Sequence, residues 1–145
     1  MSQLVGLDNA YKCTLLSASL GVAVSGQAGS AFASLPGANY FAMQGTLNYG
    51  TGGTSANFTL QTTFDSSNWF DIANLAFSTF ATSGQTDVRV VCVTRSNLTS
   101  AVATSGILSG GSINNGILGD QFRVLWGNAG TYTSSTVIII GLAKA

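Results

Sequence analysis

Residues 57–64, NFTLQTTF, alternate with a period of two. Phe58, Leu60, Thr62 and Phe64 share one face, and Asn57, Thr59, Gln61 and Thr63 share the other. That spacing specifies a strand with one face on a core, and no segment of the chain carries a competing helical stripe. Further strand patterns cover 11–16, 20–25, 39–50, 69–80, 86–95, a short stretch at 98–103, 120–126 and 131–143. Within 86–95, Val88, Val90 and Cys92 oppose Arg89, Val91, Val93 and Arg95. Gly45 reads as a bulge, 51–56 (TGGTSA) as a flexible turn, and 131–143 as a strand apolar enough at its end to be covered on both faces. The missing Glu, the scarce Lys and the abundant Thr, Val, Ile and Phe favour strand over helix. The expected fold is all-β: a single antiparallel β-sandwich domain over 1–145, jelly-roll-like, with a barrel as the alternative. Residues 1–10 are expected to form an N-terminal arm and 26–38 a long loop, both candidates for ordering on a partner.

The charge content decides more about function than the net charge of zero. Only 7% of residues are charged, against about a quarter in ordinary domains. A domain of this mass exposes about 7,000 Å², so ten charges leave about one per 700 Å². Such a surface is either solvated by Ser, Thr, Asn and Gln or covered by other chains, and the second reading predicts a homo-oligomer. The bases Lys12, Arg89, Arg95, Arg123 and Lys144 are scattered, which argues against a nucleic-acid partner. No apolar run approaches the about 20 residues of a membrane span, so no membrane partner is expected. Residues 13–28 lack the basic lead of a signal peptide and are expected to be strands of the mature protein.

The densest chemistry lies at 64–73, FDSSNWFDIA. Calcium needs six or more converging oxygens, which Asp65, Asn68, Asp71 and two serines do not supply at the usual spacing. Turn formers between two strands predict a hairpin instead, with Trp69, Asp71 and Ala73 opposite Phe70, Ile72 and Asn74. Trp69, Tyr49 and Trp126 are the candidate aromatic contacts for a glycan or a protein partner. The absence of His removes Ser-His-Asp and Cys-His catalysis, and Asp65 and Asp71 are the only close carboxylate pair. The expectation is therefore no enzyme, no catalytic residue, no metal and no cofactor.

Cys13 and Cys92 leave three readings open: buried free thiols, a bond to each other, or a bond between subunits. A mutual bond would stabilise by about 4 kcal/mol and needs neighbouring strands. Two Asn-x-Thr sites, at 57–59 and 97–99, read as chance without a secretory signal. Asp120 and Arg123, three apart on a strand, are expected to face opposite sides.

Three segments, LQTTFDSSNWFDIANLAF (60–77), GILGDQFRVLW (116–126) and GTYTSSTVIII (130–140), resemble the small β-rich virion structural proteins, decoration or neck type, of tailed bacteriophages. The resemblance implies a non-catalytic subunit assembled in the host cytoplasm into the virion. Its partners would be copies of itself and major capsid, portal, neck or tail proteins. The resemblance carries over no functional residue. A carbohydrate-binding adhesin of a tail or fibre is the alternative expectation.

Overall fold

The computed structural model describes residues 10–33, 39–95, 108–114 and 117–144. Eleven strands form: β1 (Ala10–Leu20), β2 (Val24–Ala28), β3 (Phe32–Ala33), β4 (Tyr40–Asn48), β5 (Thr51–Gly52), β6 (Ser55–Thr63), β7 (Trp69–Ser78), β8 (Thr86–Thr94), β9 (Gln121–Ala129), β10 (Tyr132–Thr133) and β11 (Ser135–Lys144). Every pairing is antiparallel. One sheet has the order β1-β11-β4-β8; the other has the order β2-β9-β6-β7, with β3 also on β9.

Counting only the eight long strands, the first pairs with the last, the second with the seventh, the third with the sixth and the fourth with the fifth. The chain is thus one long hairpin whose successive rungs alternate between two sheets. The cross-pairings β11·β4 and β6·β9 close each sheet into four neighbouring strands. That arrangement is the jelly roll, so the expected antiparallel sandwich is what forms.

Between the sheets lies one core. Phe41, Met43, Leu47, Val137 and Ile139 come from one side and Phe58, Leu60, Leu75, Phe77 and Val124 from the other. Phe41 stacks on Phe122 across the gap with ring centroids 4.6 Å apart. Phe58 meets Phe77 edge-on at 5.9 Å.

Several expectations are corrected, each for a non-local reason. The strands expected at 11–16 and 20–25 resolve differently: β1 runs unbroken to Leu20 because a bulge between Thr14 and Leu16 lets both Leu15 and Leu16 turn inward. The long loop expected over 26–38 contains the end of β2 and all of β3; its residues 34–38 lie outside the described residues, as do 1–9 of the arm and the strand expected at 98–103. Gly45 is not a bulge, since β4 keeps register through it on both sides. A Cβ there would stand 2.9 Å from Ile139 and 3.0 Å from Leu75 and Phe77, so glycine makes room for three core side chains. The two-fold pattern of β7 breaks at Ile72. Asp71 pairs with Gln61 and Ala73 with Leu60, so Ile72 has no opposite number and Ala73 faces inward, away from Trp69 and Asp71.

The expected flexible turn at 51–56 is instead clamped. β5 pairs with β10, and Gly53 donates to the Thr131 carbonyl at 2.8 Å. A Cβ on Gly53 would fall 2.2 Å from the Tyr132 ring, at a backbone φ of +69°. Gly84 also has positive φ, +85°, but nothing lies within 4 Å of its Cβ position. Gly84→Ala is expected to cost about 1 kcal/mol, the strain alone. Gly53→Ala, which adds a ring collision to the strain, is expected to cost about 3 kcal/mol. Urea unfolding of the two variants, compared by midpoint, checks the difference; equal losses refute the clamp.

Candidate functional site

The stretch at 64–73 forms the expected hairpin, and Asp65 organises it. Its Oδ1 accepts the Ser67 amide at 2.9 Å, the Asn68 amide at 2.7 Å and the Thr63 hydroxyl at 3.1 Å. Its Oδ2 accepts from the Asn68 side chain at 2.6 Å. This closed turn holds Ser66 at a φ of +62°. Hydrogen bonds from Asn68, backbone first, and then from Ser67, hold the Asp65 carboxyl far below the usual carboxylate range.

Asp71 points to the outer side of its sheet and into a polar ladder. Gln61 donates to Asp71 at 2.7 Å, Arg123 donates to Gln61 at 2.8 Å, and the Arg123 guanidinium lies 4.0 Å over the Trp69 ring. Burial pulls the Arg123 pKa down against the opposing pull of Asp71. Residues 108–114 seal the same edge. The Asn114 side chain donates to the Asp71 carbonyl at 2.9 Å, and Asn74 donates to the Leu108 carbonyl at 3.1 Å. Gln61, Asp71 and Asn74 are therefore buried although they face away from the core. Asp120 is exposed just ahead of β9, apart from this ladder.

The three aromatic candidates do not share a surface. Tyr49 is only 8% exposed and donates its hydroxyl to the Gly52 carbonyl, which removes it as a platform. Trp126 is packed against the core, stacked on Phe58 at 6.1 Å, and rims an open groove of about 430 Å³ shared with Ser25, Asn57 and Gly127. Trp69 has one face taken by Arg123. Among the described residues no group of three or more His, Cys, Asp or Glu gathers.

Cys13 and Cys92 are free. They sit on β1 and β8, the two opposite edges of the four-stranded sheet, three strand spacings or about 14 Å apart. That span excludes the mutual bond, which needs Cα atoms within about 7 Å. Cys13 is packed against the core, where burial raises its pKa. Cys92 lies on the outer side, against Tyr40, and the hydrogen bond between them raises the Tyr40 pKa.

What sequence reasoning did not single out is the outer face of the β1-β11-β4-β8 sheet. The register aligns Ile138 with Thr46 and Val88, Ile140 with Gln44 and Val90, and Leu142 with Ala42 and Cys92. Val90 is 66% exposed, Val88 56%, Ile138 40% and Leu142 38%. The described residues of this face include no carboxylate, and its lysines, Lys12 and Lys144, lie at one end. The signal was present in the apolar run at 137–140, read as covered on both faces; the folded chain covers one. The apolar side chains form two columns, on β11 and on β8, with Thr46 and Gln44 of β4 between them and the polar Thr14 and Ser17 of β1 beside them.

No family model matches the chain, and neither does any curated protein or solved structure.

The hydrogen-bonded, ionised form of Asp65 stabilises the fold above the ordinary carboxylate pKa, and that contribution is lost as pH falls through the depressed folded value. Asp65→Asn is therefore expected to lower Tm at neutral pH, with the gap to the parent chain closing as the pH is taken through and below the carboxylate range. A gap independent of pH in calorimetry refutes the assignment.

Proposed function

We propose that this chain is a non-enzymatic structural subunit of a tailed-phage virion, a head-decoration, capsid-stabilising subunit or a neck or collar subunit. The observation that carries the reading is the outer face of the β1-β11-β4-β8 sheet, where apolar side chains stand exposed with no carboxylate among the described residues. Burying such a face against a neighbour gains about 25 cal/mol per Å² of apolar area without stripping water from ions. The segment resemblance at 60–77, 116–126 and 130–140 supports the phage setting. The jelly roll supports it by analogy, since viral capsid proteins use that fold, though lectins and cupins use it too.

One observation favours the second reading, a glycan-binding adhesin. An open groove of about 430 Å³ on the outer side of β2, β9 and β6 is lined by the polar residues Ser25, Asn57 and Thr59, with Trp126, whose ring stacks on Phe58, at its border. Stacking of a sugar ring on an aromatic with adjacent hydrogen-bonding groups is the expected mode.

Cryo-EM of intact particles tests the proposal. The expected result is the chain in regular copies at one station, with Val88, Val90 and Ile138 covered by a neighbour. Absence from particles, together with saturable polysaccharide binding lost in Trp126→Ala or Trp69→Ala, overturns it in favour of the adhesin.

A further inference from the structure

We infer that the exposed face of the four-stranded sheet docks a second copy of this chain, sheet against sheet, about a two-fold axis. The axis lies between the sheets and crosses the strands along the row Ile140–Gln44–Val90. The inference rests on the reading of this face as an assembly surface.

Three features of the face argue for self-docking. The first is Gln44, exposed at the midpoint of β4, four residues from Tyr40 at one end and from Asn48 at the other. A group lying on a two-fold axis meets its own copy, so it must complement itself. An amide does this, because it carries both donor and acceptor. Its flanking neighbours Ile140 and Val90 meet their own copies too, apolar on apolar.

The second feature is charge. Lys12 pairs with Leu142, and Lys144 stands two residues beyond, so both lysines occupy one end of the face. The opposite end is the row Thr136–Asn48–Thr86, which is uncharged and rich in acceptors. An axis running along the strands would gather the lysines of both copies at the same end. An axis across them lays each lysine end over the neutral end of the other copy, with each strand antiparallel to its mate. The like-charge cost chooses the second.

The third feature is area. Four strands about 4.8 Å apart and nine residues at about 3.3 Å rise give a footprint of about 600 Å² per copy. The two copies together bury about 1,200 Å², the lower bound of specific, stable interfaces. The packing itself, face to face at about 10 Å, is the one the chain already uses between its own sheets.

Sedimentation velocity on the full chain, with paired cysteine variants, tests the inference. The parent chain is expected to sediment as a dimer that weakens by about tenfold to a hundredfold in Val90→Lys. Circular dichroism of that variant should be unchanged, since residue 90 is exposed. In a Cys13→Ala, Cys92→Ala background, Gln44→Cys on the axis is expected to form a covalent dimer on mild oxidation. Asn48→Cys, far from its own copy, is expected not to. A monomer at high concentration, a dimer indifferent to Val90→Lys, or equal crosslinking at positions 44 and 48 overturns the inference.

Failure here is separable from failure of the virion reading. A monomer that still binds particles through this face, seen as protection of the face from thiol labelling at Val90→Cys, overturns the dimer alone. A dimer of the stated geometry that is absent from particles overturns the virion reading alone.

Discussion

The close approach of the two sheets depends on a large-against-small arrangement at the inner positions of the central strands β4 and β11. Gly45 is the register partner of Ile139, and Gly141 the partner of Met43. A side chain at Gly45 would displace Ile139, Leu75 and Phe77; one at Gly141 would strike Leu15 and Phe41 at 2.9 Å. The two glycines thus leave the space that bulky residues of both sheets fill, which is how a core reaches close-packed density. If β4 slipped by one residue, Gly45 would pass to the outer face and its neighbours would lose their seat. The packing therefore fixes the register as well as the spacing.

The same register finishes one sheet and leaves the other unfinished. In the β2-β9-β6-β7 sheet, the outward positions carry Thr59, Gln61, Asp71, Asn74 and Arg123, and these bond one another and the 108–114 segment. Most of their polarity is met within the chain, the buried Asn74 Oδ1 excepted, and that sheet's β7 edge is closed by backbone bonds such as the Asn74 amide to the Ser112 carbonyl at 3.0 Å. Nothing comparable covers the outward positions of β11 and β8 among the described residues. Among the described residues the contrast is between an outer face with exposed apolar side chains and one whose β6-β7 half is covered by the 108–114 segment.

Legibility in the sequence followed the range of the interaction. The hairpin around Asp65 was readable because all its partners lie within three residues. The sandwich was readable because two-fold alternation is local to each strand. Gly45, Gly53 and Ile72 were misread because each role is set by a residue far along the chain: Leu75 and Phe77, Tyr132, and the Leu60 rung of β6. Tyr49 looked like a surface aromatic because its neighbours, Phe80 and Tyr132, meet it only in the fold. The outward apolar face was half readable. The run at 137–140 announced a strand apolar on both sides, but which side would lack a cover depends on the order of all eight long strands.

The shortage of charge is not spread evenly, and its distribution bears on function more than its total. Asp65 is spent in its own turn, and Asp71 and Arg123 in the polar ladder. Arg95 donates to the Leu118 carbonyl. Asp87 and Arg89 pair at 2.7 Å on edge strand β8, where Arg89 also lies 5.6 Å from the Phe77 ring. Charges on the inward side of an edge strand hinder unwanted strand addition. At least six of the ten charges therefore serve contacts inside the chain, and among the described residues the charges on the outer face of the four-stranded sheet are lysines at one end. A chain that must stay apart from its neighbours would spread its few charges over its largest flat surface. Among the described residues that surface is kept nearly free of them, so covering it would strip water from few ions, which is the physical basis of the proposed assembly role.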